Sequence, residues 1–299
     1  MARLEPVPDE AAAVADLGPK EGRALVIADY HAGYEVGLRY ERGVDVPSQA
    51  STRRERLRSL LARTGVDHLV VLGDLMHAIG DPGGAERGEL EVLFESFPRG
   101  VVVTLVRGNH DGAIEGWLGG GDSFDPPNVG TTPDEPTTPS AAGDVLEGTI
   151  GGTTVRITGG DGIRLGDVGC LHGHTWPARS VLEADVVCLG HDHPCVRLED
   201  EVGGSRVERV WLRGRLDPAP FRDRSAYEGL SWLESSVGGV SGDGDAPRVV
   251  VVPAFNELAG GTWVNLEGQS FLTPFLPEGL AAGEAYLLDG TRLGPYRNV

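Results

Sequence analysis

The sequence predicts an α/β layered fold, and three of its features lead to that prediction. Short, continuous runs of apolar residues recur along the 299-residue chain, as in strands that are buried on both faces. Segments with a helical spacing of apolar residues lie between those runs. Motifs rich in histidine and aspartate directly follow strand-like runs, as functional residues do at the carboxyl ends of strands in α/β sheets.

The predicted strands and helices alternate along the chain. β-Branched residues are frequent in the predicted strands, which cover residues 24–28, 69–72, 101–106, 186–189 and 249–252. A first helix is predicted over residues 48–64, because Leu57, Leu60 and Leu61 lie on one face. A second helix is predicted over residues 86–97, where apolar residues again recur at helical spacing.

One domain is expected for residues 1–299, because the motifs continue across the first of two loop-like interruptions. Residues 119–143 contain three consecutive glycines, a Pro-Pro pair and little apolar content, which predicts a flexible insertion. The insertion falls between two motifs, so a lid over the site and a plain surface excursion both remain open. Residues 241–247 are a shorter loop of the same kind.

The chain is strongly acidic. It has 45 acidic and 26 basic residues, a formal net charge of −19, and Lys20 as its only lysine. This combination is typical of adaptation to high salt, so we expect a halophilic protein. Negative charge normally argues against nucleic-acid partners, but strong salt screens the repulsion and leaves such partners open.

The N-terminal segment and the cysteines indicate a soluble, cytoplasmic protein. Residues 1–20 include acidic residues and no continuous apolar core, unlike a signal peptide. No run approaches the roughly 20 apolar residues that a membrane span needs, so no membrane partner is expected. Cys170, Cys188 and Cys195 have no CxxC spacing, which suits a reducing compartment.

Seven of the eight histidines fall within five short motifs, and only His68 lies outside them. The motifs are Asp29-Tyr30-His31, Gly73-Asp74-Leu75-Met76-His77, Gly108-Asn109-His110-Asp111, His172-Gly173-His174 and Gly190-His191-Asp192-His193. Imidazole, carboxylate and amide oxygen together suit borderline divalent metals. Five strand ends that supply such donors predict a metal centre, most simply one with two ions.

The spacing within the motifs supports shared ligation. On an extended segment, residues i and i+2 point the same way, so Asp29 and His31 can reach one ion, as can His191 and His193. The glycine before Asp74 permits a sharp exit from its strand, which would turn the carboxylate into the cleft.

The order DxH, GDxx(D/H), GNHD, HG and GHxH over residues 24–193 resembles the calcineurin-like metallophosphoesterase superfamily. The resemblance implies a sandwich of two mixed β-sheets flanked by helices. It implies a first metal site made by Asp29, His31, Asp74 and His193. It implies a second made by Asp74, Asn109, His172 and His191, with Asp74 as the bridge.

The resemblance also implies a reaction. Two dications about 3.5–4 Å apart would share a hydroxide that attacks phosphorus in line. His110 would be the catalytic histidine that is not a ligand, with a general-acid role, and Asp111 is expected to orient it. Imidazoles combined with oxygen donors and no cysteine favour manganese or iron over magnesium, and zinc stays open.

Two further motif histidines have less defined roles. His77 stands at a position that is often histidine in the repair-nuclease branch of this superfamily. We expect it to face phosphate or to support a ligand, and a purely structural role is equally open. His174 is expected to line the site, with a hydrogen bond to a neighbouring carbonyl as the alternative.

Further segments indicate a branch of the superfamily. The segments His31-Ala32-Gly33-Tyr34-Glu35 and Pro253-Ala254-Phe255-Asn256 resemble the small archaeal and bacterial phosphoesterases related to SbcD-type repair nucleases, including the ligase-associated PdeM group. This implies hydrolysis of phosphodiester bonds in nucleic acid or nucleotides. The sequence shows no separate DNA-capture domain or coiled coil of the kind that such repair nucleases usually have, which argues against processive nuclease work. The alternatives are a phosphomonoesterase with the same metals and, more weakly, a metal-binding scaffold, since every ligand position and His110 are present.

Arginines are clustered in residues 53–58 and 213–224. Contact with phosphate is one use of such clusters. Ion pairing with nearby acids such as Glu55 is the other, and both interpretations remain open from the sequence.

Overall fold

The computed structural model describes residues 3–79, 83–112, 114–117, 145–200, 202–234, 246–266 and 268–299. The strands in these residues are β1 (Arg3–Pro6), β2 (Ala13–Asp16), β3 (Arg23–Ile27), β4 (His68–Leu72), β5 (Val102–Val106), β6 (Leu146–Ile150), β7 (Thr153–Thr158), β8 (Ile163–Leu165), β9 (Val168–Leu171), β10 (Val186–Leu189), β11 (Cys195–Glu199), β12 (Ser205–Leu216), β13 (Arg248–Val251), β14 (Leu280–Leu287) and β15 (Arg292–Pro295). The α-helices are α1 (Tyr34–Arg42), α2 (Ala50–Thr64), α3 (Gly84–Glu95), α4 (Arg179–Leu182) and α5 (Ser231–Glu234). Short 3₁₀ turns lie at Ile114–Trp117, Ala219–Phe221, Ser225–Tyr227 and Tyr296–Asn298.

The strands form two mixed β-sheets, as the motif resemblance implied. The first has the order β1-β2-β3-β4-β5-β7-β6, in which β3, β4, β5 and β7 are parallel to one another. The second has the order β15-β14-β12-β13-β10-β9-β8, with β11 paired to β12. In it, β9, β10 and β13 are parallel. The prediction of two mixed sheets with flanking helices is therefore confirmed.

Three buried cores hold the layers together. In β3, Ala24 and Val26 belong to the core that the two sheets share, whereas Leu25 and Ile27 belong to the core beneath helices α2 and α3. This alternation follows from the two-residue period of a strand. A third core lies on the second sheet and includes residues of α4 and α5. The order of layers is thus helix, sheet, sheet, helix.

Two predictions fall partly or wholly outside the described residues. The expected insertion at residues 119–143 lies outside them, and so do residues 241–245 of the second loop. Within the part of the chain that the structure describes, no helix combines the length and apolar character needed to cross a membrane.

Candidate metal centre

The site lies where the carboxyl ends of parallel strands from both sheets meet. Asp29 and His31 follow β3, Asp74 follows β4, and Asn109 follows β5 of the first sheet. From the second sheet, His172 follows β9, and His191 and His193 follow β10. All seven residues that the sequence suggested as ligands therefore converge on one edge of the sandwich, as expected for strand-end motifs.

Two groups of donors at this junction could each hold a metal ion. The first is Asp29, His31 and His193, and the second is Asp74, His172 and His191. Within each group, one ligand atom per residue lies within 4.8 Å of the others. Each group combines carboxylate oxygen with imidazole nitrogen, the donor set that suits borderline divalent ions.

Asp74 belongs to the second group and also faces the first. Its Oδ2 is 3.8 Å from His31 Nε2, and its Oδ1 is 3.4 Å from His172 Nε2. The Oδ1 of Asn109 lies 3.1 Å from the same His172 nitrogen, so the amide oxygen is at the second group. One carboxylate thus faces both groups with different oxygens, the arrangement that a bridging ligand requires.

The protonation states suit metal binding. Burial alone would raise the pKa of Asp29 and Asp74, but neighbouring histidines outweigh it and hold both pKa values below the usual range. Burial lowers the pKa of His31 to about 4 and that of His191 to about 3. These four side chains therefore offer carboxylate oxygens and neutral imidazoles near pH 7, the forms that bind divalent metals. For His172 and His193 the neighbouring carboxylates outweigh burial and raise the pKa, to about 9 for His172, so these two rings would release a proton when a metal binds. The residues present fit two such ions.

The ligand positions have an unusual backbone conformation. Positive φ angles occur at Asp29 (56°), His31 (49°), Asp74 (48°), His191 (68°) and His193 (43°). Residues with a side chain rarely adopt this left-handed region, and sites where they do so are often functional. The sequence argument from residues i and i+2 assumed extended segments, and these segments are not extended. A left-handed turn at each residue, instead of strand alternation, brings the paired ligands together.

Glycines of one motif make room for ligands of another. A Cβ on Gly73 would collide with His172 Nδ1, and a Cβ on Gly108 would collide with Asp74 Oδ1. A Cβ on Gly190 would lie 2.7 Å from Asp29 Oδ2. The motif glycines are thus needed for close approach, in addition to the sharp exit that was expected at Gly73.

Main-chain carbonyls orient two of the ligand rings. His172 Nδ1 lies 2.8 Å from the carbonyl oxygen of Leu72, and His193 Nδ1 lies 2.7 Å from that of Gly260. Each contact fixes the ring and leaves Nε2 towards the centre, which is the usual support for a metal-binding histidine. The role of Gly260 could not be predicted from the sequence, because a backbone oxygen needs no particular residue type.

Asn256 is a supporting residue whose role the sequence analysis missed. Its Nδ2 donates to the carbonyl oxygens of Tyr30 and His31, at 3.3 Å each, and its backbone N–H donates to the carbonyl of Asp29 at 3.2 Å. The side chain is 1% exposed. It holds the first motif from the segment that follows β13 of the second sheet, and the sequence analysis noted this segment, 253–256, only for its resemblance to a branch of the superfamily.

His110 lies beside the bridging carboxylate. Its backbone N–H donates to Asp74 Oδ1 at 3.1 Å, and its Nε2 is 3.8 Å from Asp74 Oδ2. The Nδ1 of the ring contacts the carbonyl oxygen of His77. The carboxylate of Asp111 instead accepts the backbone N–H groups of Met76 and Gly108, at 3.1 and 2.9 Å. The expected contact from Asp111 to the ring is thus replaced by a backbone carbonyl, and Asp111 braces the loops on either side.

His77 and His174 both lie at the site. The His77 ring is 4.6 Å from the Tyr34 ring and 5.4 Å from that of His31, between centroids. The His174 ring is 5.3 Å from that of His172, and burial lowers its pKa to about 4. By contrast, His68 is buried near the opposite end of β4, with Nε2 2.9 Å from Thr104 Oγ1.

Helix α3 supports two of the site loops with carboxylates. Glu86 Oε1 accepts the backbone N–H groups of His77 and Ala78, at 2.5 and 2.9 Å. Glu89 Oε2 accepts the N–H of Gly33, two residues after His31, at 2.9 Å. A sequence pattern could not distinguish these glutamates from the solvated acids that are abundant in this chain.

The first arginine cluster is largely engaged in ion pairs. Arg53 is buried and pairs with Glu35 at 2.7 Å and with Glu89 at 2.8 Å. Arg56 pairs with Glu10 and Glu257, at 2.5 and 2.8 Å. For these two residues the ion-pair interpretation is correct. In the second cluster, Arg213 lies over the Tyr286 ring and Arg224 over the Trp176 ring.

Comparisons with known proteins give a family match and two structural similarities. The family model described as calcineurin-like phosphoesterase matches residues 22–195. No curated protein matches the chain. The structure is similar to the nuclease MPE of Pseudomonas putida, with 18% identity, a TM-score of 0.48, and coverage of 97% of this chain and 100% of that one. It is also similar to the phosphoesterase Yfce of E. coli, with 20% identity, a TM-score of 0.28, and coverage of 59% and 73% respectively.

Proposed function

Because the chain belongs to the calcineurin-like phosphoesterase family, and so is a metal-dependent hydrolase of phosphoric esters, we propose that it cleaves phosphodiester bonds of nucleic acid or nucleotides. The observation that carries this proposal is the position of Asp74, whose two oxygens face two separate donor groups. A site for two ions suits in-line displacement at phosphorus, because the attacking and leaving oxygens can both be stabilised. Residues 1–299 would act as one domain.

The residues would divide between the two ions as follows. Asp29, His31, Asp74 and His193 would hold the first ion. Asp74, Asn109, His172 and His191 would hold the second. Both sets mix imidazole and oxygen donors, so we propose manganese, with iron, zinc or magnesium as the other outcomes of a metal assay. When bound, the ions would make hydroxide available near neutral pH and neutralise the charge of the phosphate oxygens.

His110 would act as the general acid. The His77 carbonyl fixes its Nδ1, and its Nε2 lies 3.8 Å from an oxygen of the bridging carboxylate. Such a position would let the protonated ring donate to the leaving alkoxide. Asp111 would keep the loop of His110 in place through its two backbone contacts.

The substrate class is the finer part of the proposal. The motif resemblance to SbcD-related phosphoesterases favours a diester in nucleic acid. His77 and His174 flank the donor groups on different sides, beside His31 and His172, and would contact the phosphate or the groups attached to it. Arg53 and Arg56 are engaged in ion pairs, so His77 and His174 are better placed than these arginines to contact phosphate.

The test is hydrolysis of a nitrophenyl phosphodiester and of the matching monoester, with manganese and high salt. We expect diester turnover that is lost in Asp74→Asn and His110→Ala and kept in His68→Ala, since His68 lies outside the site. Turnover of the monoester alone would replace the proposal with a phosphatase. No turnover of either substrate by a protein with two bound ions would contradict it. Single-stranded and duplex DNA and RNA would follow as substrates.

A further inference from the structure

Three histidine rings form a cluster next to the two donor groups. One ring nitrogen from each of His31, His77 and His110 lies within 4.8 Å of the others. The ring centroids are 5.3 Å apart for His31 and His110, 5.4 Å for His31 and His77, and 5.6 Å for His77 and His110. Three imidazoles that bind one tetrahedral zinc ion through nitrogens at about 2.1 Å place their ring centroids about 5 Å apart. The rings are therefore already close to the spacing that such an ion needs.

The cluster differs chemically from the other two groups. Each of those includes a carboxylate among its three donors, whereas this one consists of three imidazoles, with Asp74 Oδ2 3.8 Å from the Nε2 atoms of His31 and His110. Zinc, copper and nickel favour imidazole, while manganese favours oxygen donors. A site whose protein ligands are all imidazoles would consequently bind zinc in preference to manganese, unlike the two neighbouring groups, which combine nitrogen and oxygen donors.

Ring nitrogens in the cluster are available for a ligand. The Nδ1 atoms of His31 and His77 are buried and have no hydrogen-bond partner among the described residues. A buried polar atom without a partner is costly, and such atoms are rare unless an ion or water completes them. In His110 the Nδ1 is held by the His77 carbonyl, so Nε2 is the nitrogen left to bind.

The surroundings fix the His77 ring in this position. A Cβ on Gly37 of helix α1 would collide with the ring, so the glycine lets the helix pack directly against it. On the other side, Glu86 accepts the His77 backbone N–H. A ring held in this way needs little reorganisation to bind a metal.

His31 belongs to this cluster and to the first donor group, so the two sites would share it. If His31 turned to the cluster, the first site would keep Asp29, Asp74 and His193. Three protein ligands with water are sufficient for zinc, so occupation of the cluster does not empty the neighbouring site.

We propose that His31, His77 and His110 form a third metal site that binds zinc in preference to manganese, and that its occupation inhibits the enzyme. The site itself follows from the three rings. The inhibition rests on the proposed function, because zinc would occupy the His110 nitrogen that is assigned to general-acid catalysis.

The test counts zinc ions per chain after equilibration of the full-length protein with excess zinc and removal of free metal. We expect three ions in the wild type, two in His77→Ala, and three in the control His68→Ala. Two ions in the wild type, or three in His77→Ala, would overturn the site. If His77→Ala does not fold, the wild type can be titrated with cobalt and its visible absorption followed. The third equivalent of cobalt should give the strong visible bands of a tetrahedral ion. The absence of these bands would overturn the site.

Activity separates this proposal from the preceding one. With manganese at saturation, added zinc should lower diester turnover about 100-fold, the usual scale of general-acid catalysis, and a zinc-selective chelator should restore it. Unchanged turnover with three ions bound would overturn the inhibition. A protein that binds three zinc ions but never turns over a phosphoester would contradict the proposed function while leaving the third site intact.

Discussion

The Asp29 carboxylate accepts the backbone N–H of His191 at 3.1 Å, although the two residues are 162 positions apart in the chain. Asp29 follows β3 in the first sheet, and His191 follows β10 in the second. Asp29 is also 3.2 Å from His193 Nε2 in the same second-sheet motif. The donor groups therefore exist only when the two sheets are correctly packed, and small shifts between them should alter metal binding.

The motif glycines give a direct test of this close packing. We expect Gly108→Ala to displace the Asp74 carboxylate, because the new methyl group would overlap its Oδ1, and to lower phosphodiester turnover and manganese content. We expect turnover to fall at least about 100-fold, because substitution of residues that only support a metal ligand already lowers metal affinity or activity 10–100-fold.

The matched control is Gly112→Ala, four residues along the same loop. A Cβ there would meet nothing within 4 Å. Turnover of this variant should equal that of the wild type. Equal losses in both variants would mean that the loop, and not the contact with Asp74, is responsible.

Asn256 should matter for metal affinity more than for stability. Asn256→Ala removes the donors to the carbonyls of Tyr30 and His31, so the first motif loses its support from the second sheet. We expect manganese affinity to fall roughly 10–100-fold, measured by calorimetric titration. Asn265→Ala is the control, because Asn265 makes similar contacts to the carbonyls of Arg197 and Val299. An equal fall in affinity in the control would argue against a specific role for Asn256.

The buried ion-pair network around Arg53 should contribute strongly to stability. Arg53→Met leaves Glu35 and Glu89 buried without their partner, because the three side chains are only 5–6% exposed. We expect the free energy of unfolding to fall by about 3–5 kcal/mol, measured by urea denaturation. Arg58→Met, at an exposed position of the same helix, should change it by no more than about 0.5 kcal/mol. A small effect at both positions would show that burial of the network contributes little.

His68 should make stability depend on pH. Burial, with Arg156 nearby, lowers the pKa of His68 below its usual value of 6.5. The unfolded chain then binds the proton more readily, so the free energy of unfolding should fall as the pH drops below 6.5 and level off below the native pKa. His68→Gln cannot titrate and should show a weaker dependence in urea unfolding between pH 7.5 and 5.5. The same dependence in wild type and variant would assign the effect to other groups.

The acidic composition predicts a requirement for salt. At a net charge of −19, repulsion within the folded chain is screened at high ionic strength and is strong at low ionic strength. We expect the thermal midpoint to fall steadily as potassium chloride is reduced from molar to millimolar concentrations. A midpoint that does not depend on salt would remove the inference of halophily.

The central strands were predictable because each is a continuous apolar run. Strand β10 occurs at the predicted residues, and β3, β4, β5 and β13 differ from prediction by one residue at either end. Helix α2 begins two residues later than predicted, because Glu35 accepts the N–H of Gln49 and the hydroxyl of Ser48 accepts that of Ala50 before the helix starts. The edge strands β1 and β6 and the strand β2 next to β1 are short and mix apolar with polar residues, so no continuous run marked them.

The site was predictable in its composition but not in its construction. The histidines and aspartates that follow the predicted strands could be identified from the sequence alone, and the structure brings them together. The supports are not visible: the Gly260 carbonyl, the Asn256 amide and the Glu89 carboxylate act through contacts over long sequence separations. The positive φ angles at the ligands were equally hidden, because aspartate and histidine do not require that conformation.

The left-handed conformation of those ligand residues limits how far the thermal stability of the protein can be raised without loss of activity. A non-glycine residue at positive φ costs on the order of 1–2 kcal/mol, and five of the ligands carry this cost. Random variation screened for thermal stability alone should therefore favour glycine at these places, at the expense of the side chains that bind metal. At these five residues, a substitution that raises stability would therefore lower activity.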